Sequence, residues 1–358
     1  MAERPLDLHG RPLGVLRLSL TARCNLACPY CCPDTEDPPG LLTLPERLVL
    51  VEAAVGLGAH TLRLTGGEPL LHRGLEELIA ALQPLRRREP DDPRGALKEI
   101  ALTSNGLLLS AERARRLKAA GLDRITLSLD GTDGASVARM AGLGNADAGA
   151  AVLEKVLAAI GHARAAGFDP ARGQLKLNAV ITRDGNAEQL LPLAALAREQ
   201  GLELRLIEFM DVGNRNGWDP EKVLPAAEML SRIGAVWPLE PLGRADHGTA
   251  SRWRYHDRTA ADNGAHLAVV ASITAPFCGD CNRLRITADG VAYTCLFAGS
   301  GTDLRPWLRP RPDPAALEQA LRVLWRARRD RWSEERATVD TRAQAGSPRH
   351  AEMAYLGG

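Results

Sequence analysis

Leu13-Gly14-Val15-Leu16-Arg17-Leu18-Ser19-Leu20-Thr21-Ala22-Arg23-Cys24-Asn25-Leu26-Ala27-Cys28-Pro29-Tyr30-Cys31 is an apolar run that ends in three cysteines. Leu13 to Leu20 reads as a buried strand, and it delivers Cys24 at its C-terminal end. Loops at that end of a strand are where α/β folds place their chemistry. The cysteines have the spacing C-x3-C-x2-C. Three thiolates can hold three corners of a four-iron cluster and leave the fourth iron without a protein ligand. An open iron can bind a small molecule and pass it an electron, so the spacing suggests chemistry more than scaffolding. Two blander readings stand beside this one: half of a zinc site completed by a distant His or Cys, or plain buried thiols. Cys32 follows the third cysteine, points elsewhere and reads as an ordinary thiol.

Downstream, helices and strands alternate. Thr43-Leu44-Pro45-Glu46 is a capping box that opens a helix to about Gly58. Strand His60–Leu64 runs into Thr65-Gly66-Gly67-Glu68-Pro69, and a helix takes Gly74 to about Leu85. Arg86–Gly95 reads as a surface loop. Strand Lys98–Thr103 ends at Ser104-Asn105-Gly106, and Ser110 caps a helix that closes at Gly121. Strand Arg124–Leu129, a Gly/Ala-rich loop, a helix at Ala151–Ala166, strand Gln174–Ile181, a helix near Ala187–Gln200 and strand Leu202–Phe209 follow. Strand–helix repeated about six times means a parallel sheet with right-handed crossovers. The expected fold is α/β, a partial (β/α)6 barrel of TIM type.

After Gly217 the pattern changes to a helix near Val223–Ile233 and short strand-like runs around Val236, Arg252–Tyr255 and Leu267–Ile273. Leu284–Thr287 and Val291–Leu296 pair around Ala288-Asp289-Gly290 as a hairpin. A last helix covers Pro314–Arg326. The expected organisation is a partial barrel over 1–217, a C-terminal antiparallel β/α extension over 218–340 that closes the barrel mouth, and a flexible tail over 341–358.

Net charge is +1, so no global field draws in nucleic acid or a membrane surface. The N-terminus has no signal-peptide pattern, and no apolar run reaches 18 residues. A cytoplasmic protein without membrane or nucleic-acid partners is expected. The basic run Arg322–Arg331 reads as a solvated helix face. The seven cysteines fall in two tight groups, a poor disulfide framework and a better metal-binding one.

The second group, Cys278, Cys281 and Cys295, again offers three ligands. Alone it fits a zinc knuckle with a fourth ligand such as His247 or His256. Two separate groups of three are harder to explain with zinc, because Cys32 cannot complete both. In the 65–69 turn, glycines let backbone approach a ligand, and Glu68 could accept bonds from an ammonium group. Arg283 and Arg285 share a face of their strand. Lys176 lies in an apolar strand, where an inward charge needs a partner. Neither a phosphate loop of the G-x4-G-K-[ST] kind nor an H-E-x-x-H zinc motif is present.

Together these motifs resemble the radical S-adenosylmethionine (SAM) superfamily and, within it, the MoaA family of GTP 3',8-cyclases in molybdenum-cofactor biosynthesis. The cysteine triad and Gly66-Gly67-Glu68-Pro69 carry the superfamily. Lys176-Leu177-Asn178, Ile207-Glu208-Phe209-Met210, the second triad with Asn282-Arg283-Leu284-Arg285, and Gly357-Gly358 carry the family. The resemblance implies that Cys24, Cys28 and Cys31 hold a SAM-binding [4Fe-4S] cluster. It implies a second [4Fe-4S] cluster, near the guanine base, on Cys278, Cys281 and Cys295. Tyr30, Gly67, Glu68, Ser128 and Met210 would line the SAM site. Arg17, Arg73, Thr103, Lys176, Arg205, Arg283 and Arg285 would surround GTP, and Arg17, Gly357 and Gly358 would take part in catalysis. Cys32, the Gly142–Gly149 loop and the low aromatic content depart from the usual pattern.

The implied chemistry begins with one electron passed to SAM, giving methionine and a 5'-deoxyadenosyl radical. That radical takes the 3'-hydrogen of GTP, the C3' radical adds to C8, and reduction gives 3',8-cyclo-7,8-dihydroguanosine triphosphate. A radical SAM lyase of this kind implies flavodoxin or ferredoxin as electron donor, a MoaC-like enzyme downstream, and a homodimer. One rival is a two-cluster radical enzyme acting on another nucleotide or a peptide. Another is a zinc-binding interaction protein without catalysis, which iron content separates from the rest.

Overall fold

The alternation Leu16-Arg17-Leu18 is repeated as Leu62-Arg63-Leu64, and it decides how the sheet is used. In each strand one set of side chains packs under helices and the other faces inward. The computed structural model describes residues 4–89, 92–256, 264–336 and 350–357. Among them, strands β1 (Val15–Ser19), β2 (Thr61–Thr65), β3 (Glu99–Ser104), β4 (Arg124–Ser128), β5 (Leu175–Ile181) and β6 (Glu203–Glu208) run parallel in sequence order. Leu16, Leu18, Leu62, Leu64, Ile100, Leu102, Ile125, Leu127, Leu177 and Leu204 are all within 1% of full burial and share one core with the helices.

The C-terminal part then completes the same sheet from both sides. β7 (Leu239–Arg244), β8 (Ser251–Tyr255) and β9 (His266–Val270) add to one edge, with β9 parallel to β6. β10 (Arg283–Ile286), β11 (Val291–Tyr293) and β12 (Thr302–Asp303) add to the other, with β10 parallel to β1. The order is β12-β11-β10-β1-β2-β3-β4-β5-β6-β9-β8-β7. The mixed α/β fold is thus the partial TIM-type barrel, and its extension contributes parallel strands as well as the antiparallel ones. The sheet also crosses the expected boundary at 217.

Local chemistry sets the helix limits. Thr43 and Glu46 form both halves of a capping box for Leu44–Gly56. Ser110 accepts the Arg113 amide at the start of Ala111–Ala120, and Gly121 ends that helix at φ +103°. Two differences from the sequence reading have physical causes. The Gly/Ala-rich segment is two helices, Gly134–Ala141 and Ala146–Ala165, capped by Asp133 and Asn145. Its glycines serve close helix packing: a Cβ on Gly149 would lie 1.9 Å from the Gly134 carbonyl oxygen. The strand expected around Val236 begins instead at Leu239, and Val236 is half-exposed.

Among the described residues no helix is long and apolar enough to cross a membrane. Of the expected tail 341–358, residues 341–349 and Gly358 lie outside the described residues. Replacing Ser110 by alanine is expected to lower the unfolding free energy by about 1 kcal/mol, read from anaerobic denaturant titration, without loss of bound iron.

Candidate active site

The cysteine loop is fixed by the turn that follows β2. Gly67 donates its amide to the Thr21 carbonyl at 2.8 Å, and Glu68 donates its own to the Arg23 carbonyl at 2.8 Å. A Cβ on Gly67 would lie 2.2 Å from the Arg23 oxygen. The glycine therefore admits the backbone of the cysteine loop itself. Glu68 is almost wholly buried and accepts bonds from Leu70 N at 2.9 Å, Ser104 Oγ at 2.8 Å and Asn105 N at 2.8 Å. Its carboxylate ties β2 to β3, so the free edge expected to meet an ammonium group is largely committed.

Cys24, Cys28 and Cys31 line a cavity at the C-terminal strand ends with Tyr30, Gly67, Glu68, Ser128, Asp130, Met210 and Gly357. Burial pushes all three thiols up, Cys31 to about 12. Such thiols ionise together with metal binding. Tyr30 donates to Asp130 Oδ2 at 2.7 Å, and Val180 N donates to Asp130 Oδ1 at 2.8 Å. Burial raises the Asp130 carboxyl to about 6.

A second cavity adjoins the first and shares Thr103, Asn178, Ile207 and Met210 with it. Cys278, Cys281 and Cys295 stand in its wall. Six arginines, 17, 63, 205, 283, 285 and 328, line it against one acid, Asp330. Sheet register explains the density: Arg17 pairs with Arg285 on one side and Arg63 on the other. Burial, then the charges of Arg285 and Arg63, drive the Arg17 guanidinium well below its usual range. Arg63 Nε and Arg285 Nη1 are buried without a hydrogen-bond partner among the described residues. Burial pushes Cys295 up to about 12. Burial also acts upward on Cys281, but Arg283 and Arg328 outweigh it and hold that thiol at about 6.

Most of the expected site residues meet at these two cavities; some do not. Arg73 is exposed and lines neither cavity, because it follows the turn and leaves the sheet. Arg63, inside β2, stands in the wall instead. Lys176 sits one layer behind the wall: Glu203 Oε1 lies 2.8 Å from its Nζ and 2.7 Å from Arg205 Nε. Gly357 presents its carbonyl to Arg17 Nη2 at 2.8 Å. Gly358 lies outside the described residues. Cys32 has φ +46° and gives its thiol to Pro29 O. Within the basic run, Arg328 is no solvated residue but is 1% exposed and bonded to Cys281 Sγ. Asn105, Asp130 and Asn178 were given no site role from sequence, although Asn178 lies in a motif that carries the family resemblance.

Among the described residues no three His, Cys, Asp or Glu side chains converge on one point. His247 turns to Asp280, 3.1 Å from its backbone oxygen, and His256 is exposed. A cubane cluster, by contrast, spreads three thiolates over three irons.

Residues 18–206 match the Radical SAM superfamily, and residues 202–334 match Molybdenum Cofactor Synthesis C. A protein of Synechococcus sp. (strain CC9605) called GTP 3',8-cyclase is 60% identical over 353 residues, covering 98% of each chain. The chain belongs to the GTP 3',8-cyclase family of the radical SAM superfamily. A further cyclase, from Xanthomonas campestris pv. campestris (strain B100), is 42% identical and covers 98% of this chain and 97% of its own. Among solved structures, Streptococcus suis SuiB bound to S-adenosylmethionine aligns with TM-score 0.59 at 15% identity, covering 97% of this chain and 72% of that one. That likeness concerns the fold. The protein is a radical SAM enzyme, and its cofactors are S-adenosylmethionine and two [4Fe-4S] clusters. The donor chemistry fits: two half-buried sets of three thiols, each lining a cavity.

Gly67→Ala forces the cysteine loop away from β2. Iron content of the reconstituted protein is expected to fall from about eight toward about four per chain, with the electron paramagnetic resonance (EPR) signal of the SAM cluster lost first.

Proposed function

We propose that the chain cyclises GTP to (8S)-3',8-cyclo-7,8-dihydroguanosine 5'-triphosphate, with its two cavities dividing the work. The observation that carries this reading is the arginine-lined cavity between the two cysteine groups. A triphosphate is the ligand that so many converging guanidiniums suit, because each can give paired, charge-assisted bonds to phosphate oxygens. Cys24, Cys28 and Cys31 would hold the SAM cluster, and Cys278, Cys281 and Cys295 the second. When bound, these groups supply the one-electron reduction and hydrogen-atom abstraction that the cyclisation needs.

The chain's own residues place the reactants. Tyr30, held by Asp130, Gly67, Ser128 and Met210 would flank SAM. Arg17, Arg63, Arg205, Arg283 and Arg285 would receive the nucleotide, with Thr103 at the junction of the cavities. Lys176 would act through Glu203 by holding Arg205 in place. Gly357, bonded to Arg17, would fix that guanidinium at the mouth. The two walls, largely apolar on the SAM side, keep water from a reactive radical. The proposal includes an external one-electron carrier such as flavodoxin or ferredoxin, because the chain generates no reducing equivalents. It also includes a MoaC-like enzyme to consume the cyclised product.

Anaerobic incubation with SAM, reductant and GTP is expected to consume GTP and yield the cyclic nucleotide by chromatography. Deoxyadenosine formed without loss of GTP sinks the proposal. Arg63→Ala is expected to weaken GTP binding roughly tenfold to a hundredfold, the worth of one charge-assisted bond of about 1.5–3 kcal/mol. Arg73→Ala should leave it within about twofold; calorimetry on the loaded protein compares them.

The Lys176 ammonium gives a pH dependence. Burial first, and then the Arg205 charge, lower it to about 8. Its charge is present below that value and lost as pH rises through it. GTP affinity is therefore expected to fall between pH 7.5 and 9.5, values that bracket this midpoint. Stability of the nucleotide-free protein moves the other way. The folded state binds fewer protons than the unfolded one between about 8 and 10.5, so folding gains as pH rises there. Calorimetry and denaturation across this range, with Lys176→Met as the flat control, check both signs.

A further inference from the structure

Cys281 differs from the other cysteines in what faces its sulfur. Arg283 Nε and Nη2 lie 3.3 and 3.2 Å from Sγ, and Arg328 Nη2 lies 3.2 Å away. Cys24 meets only neutral donors, the Leu26 amide at 3.5 Å and Asn105 Nδ2 at 3.7 Å. Carboxylates face the first group: Glu68 near Cys24, Asp130 near Cys28 and Glu352 near Cys31, with Arg215 opposing at Cys31. Among the described residues Cys281 thus meets guanidiniums directly, while Asp330 acts on Cys295 of the same group.

Arg328 is not spare capacity for the nucleotide. Its Nη1 donates to the Cys281 carbonyl at 2.6 Å and lies 3.5 Å from Asp7 Oδ2; its Nε lies 3.4 Å from Asp330 Oδ2. Every nitrogen of the guanidinium thus has a partner within the protein, and the ring of Trp325 lies 4.8 Å beneath it. Asp7 is fully buried and also takes Arg11 Nε at 2.5 Å and the amides of His9 and Arg11 at 2.9 Å each. Arg11, 2% exposed, reaches on to the carbonyls of Cys278 at 2.6 Å and Asp330 at 3.0 Å. Residues near the N-terminus thereby clamp the second cysteine loop.

The charges of this clamp do not cancel. Two buried guanidiniums share one buried carboxylate, and Asp330 is only partly buried. Buried charge left uncompensated is costly. The group that faces the surplus is the Cys281 sulfur, which is anionic when it ligates iron. Adding an electron to a cluster makes its ligand set more negative, and hydrogen bonds to the sulfurs favour that state.

We propose that Arg328 raises the reduction potential of the second cluster, and that Asp7 and Arg11 are positioning residues that hold Arg328 against Cys281. The step concerned is a single electron. A one-electron carrier of the flavodoxin or ferredoxin class is oxidised as the second cluster is reduced, and no bond is made or broken. This rests on the reading that Cys278, Cys281 and Cys295 hold that cluster. Cys281→Ala tests that reading separately, since it should remove the second EPR signal and about half the iron while leaving the first signal.

The test is an anaerobic redox titration of the reconstituted full chain, with dithionite as reductant and both clusters followed by EPR. Arg328→Gln is expected to move the midpoint of the second cluster to more negative potential and leave the first unchanged. Arg328→Lys keeps a charge but loses the forked hold, and should fall between Gln and the parent. If Arg328→Gln fails to load its second cluster, Arg328→Lys decides. An unshifted second midpoint in whichever variant loads, or an equal shift of both clusters, overturns the proposal.

Discussion

Three guanidiniums stand side by side on neighbouring strands: Arg285 on β10, Arg17 on β1 and Arg63 on β2. Like charges directly opposed across a sheet repel, and burial removes the water that would screen them. The apolar opposite faces of the same strands hold the row in place regardless. Leu16, Leu62 and Leu284 pack into the main core at 1% exposure or less. The core, then, supports an arrangement that by itself is unfavourable. Folding energy from one side of the sheet is spent on the other as affinity for an anion. An arrangement of this kind suits a ligand that carries several negative charges.

The two cavities meet without merging. Thr103, Asn178, Ile207 and Met210 belong to both walls. The walls differ in kind. On one side are glycine backbone, Tyr30, Met140 and valines; on the other are arginines and Phe277. A sulfonium nucleoside and a triphosphate make opposite demands of this kind.

Much of this was legible in the sequence, and the failures share a cause. The strand–helix alternation, the capping residues at Thr43 and Ser110, the hairpin at Asp289 and both cysteine groups depend on neighbours in sequence, and these were read closely. Arg73 was named because the family resemblance implied it, and Arg63 was not considered. Yet the argument applied to Lys176, a charge inside an apolar strand, applies equally to Arg63 in Thr61-Leu62-Arg63-Leu64. The Gly134–Gly149 stretch reads as a loop by composition, because glycine used for helix packing looks the same as glycine used for turning. Arg328 and its link to Asp7 could not be read at all. That contact joins residues more than 300 positions apart, and no local pattern announces it.

The same distance in sequence has a temporal meaning. β1, which leads into Cys24, Cys28 and Cys31, has β2 as one neighbour, but its other neighbour is β10, some 268 residues later. During synthesis at about 5–20 residues per second, β1 waits with one edge bare. Pairings of such long range close slowly, because the loop entropy must be overcome before the contacts form. The first thiol set therefore exists as a chain segment well before its strand is enclosed. The two cysteine groups are thus made at well-separated times, the second only after strands β1 to β9 have all been synthesised.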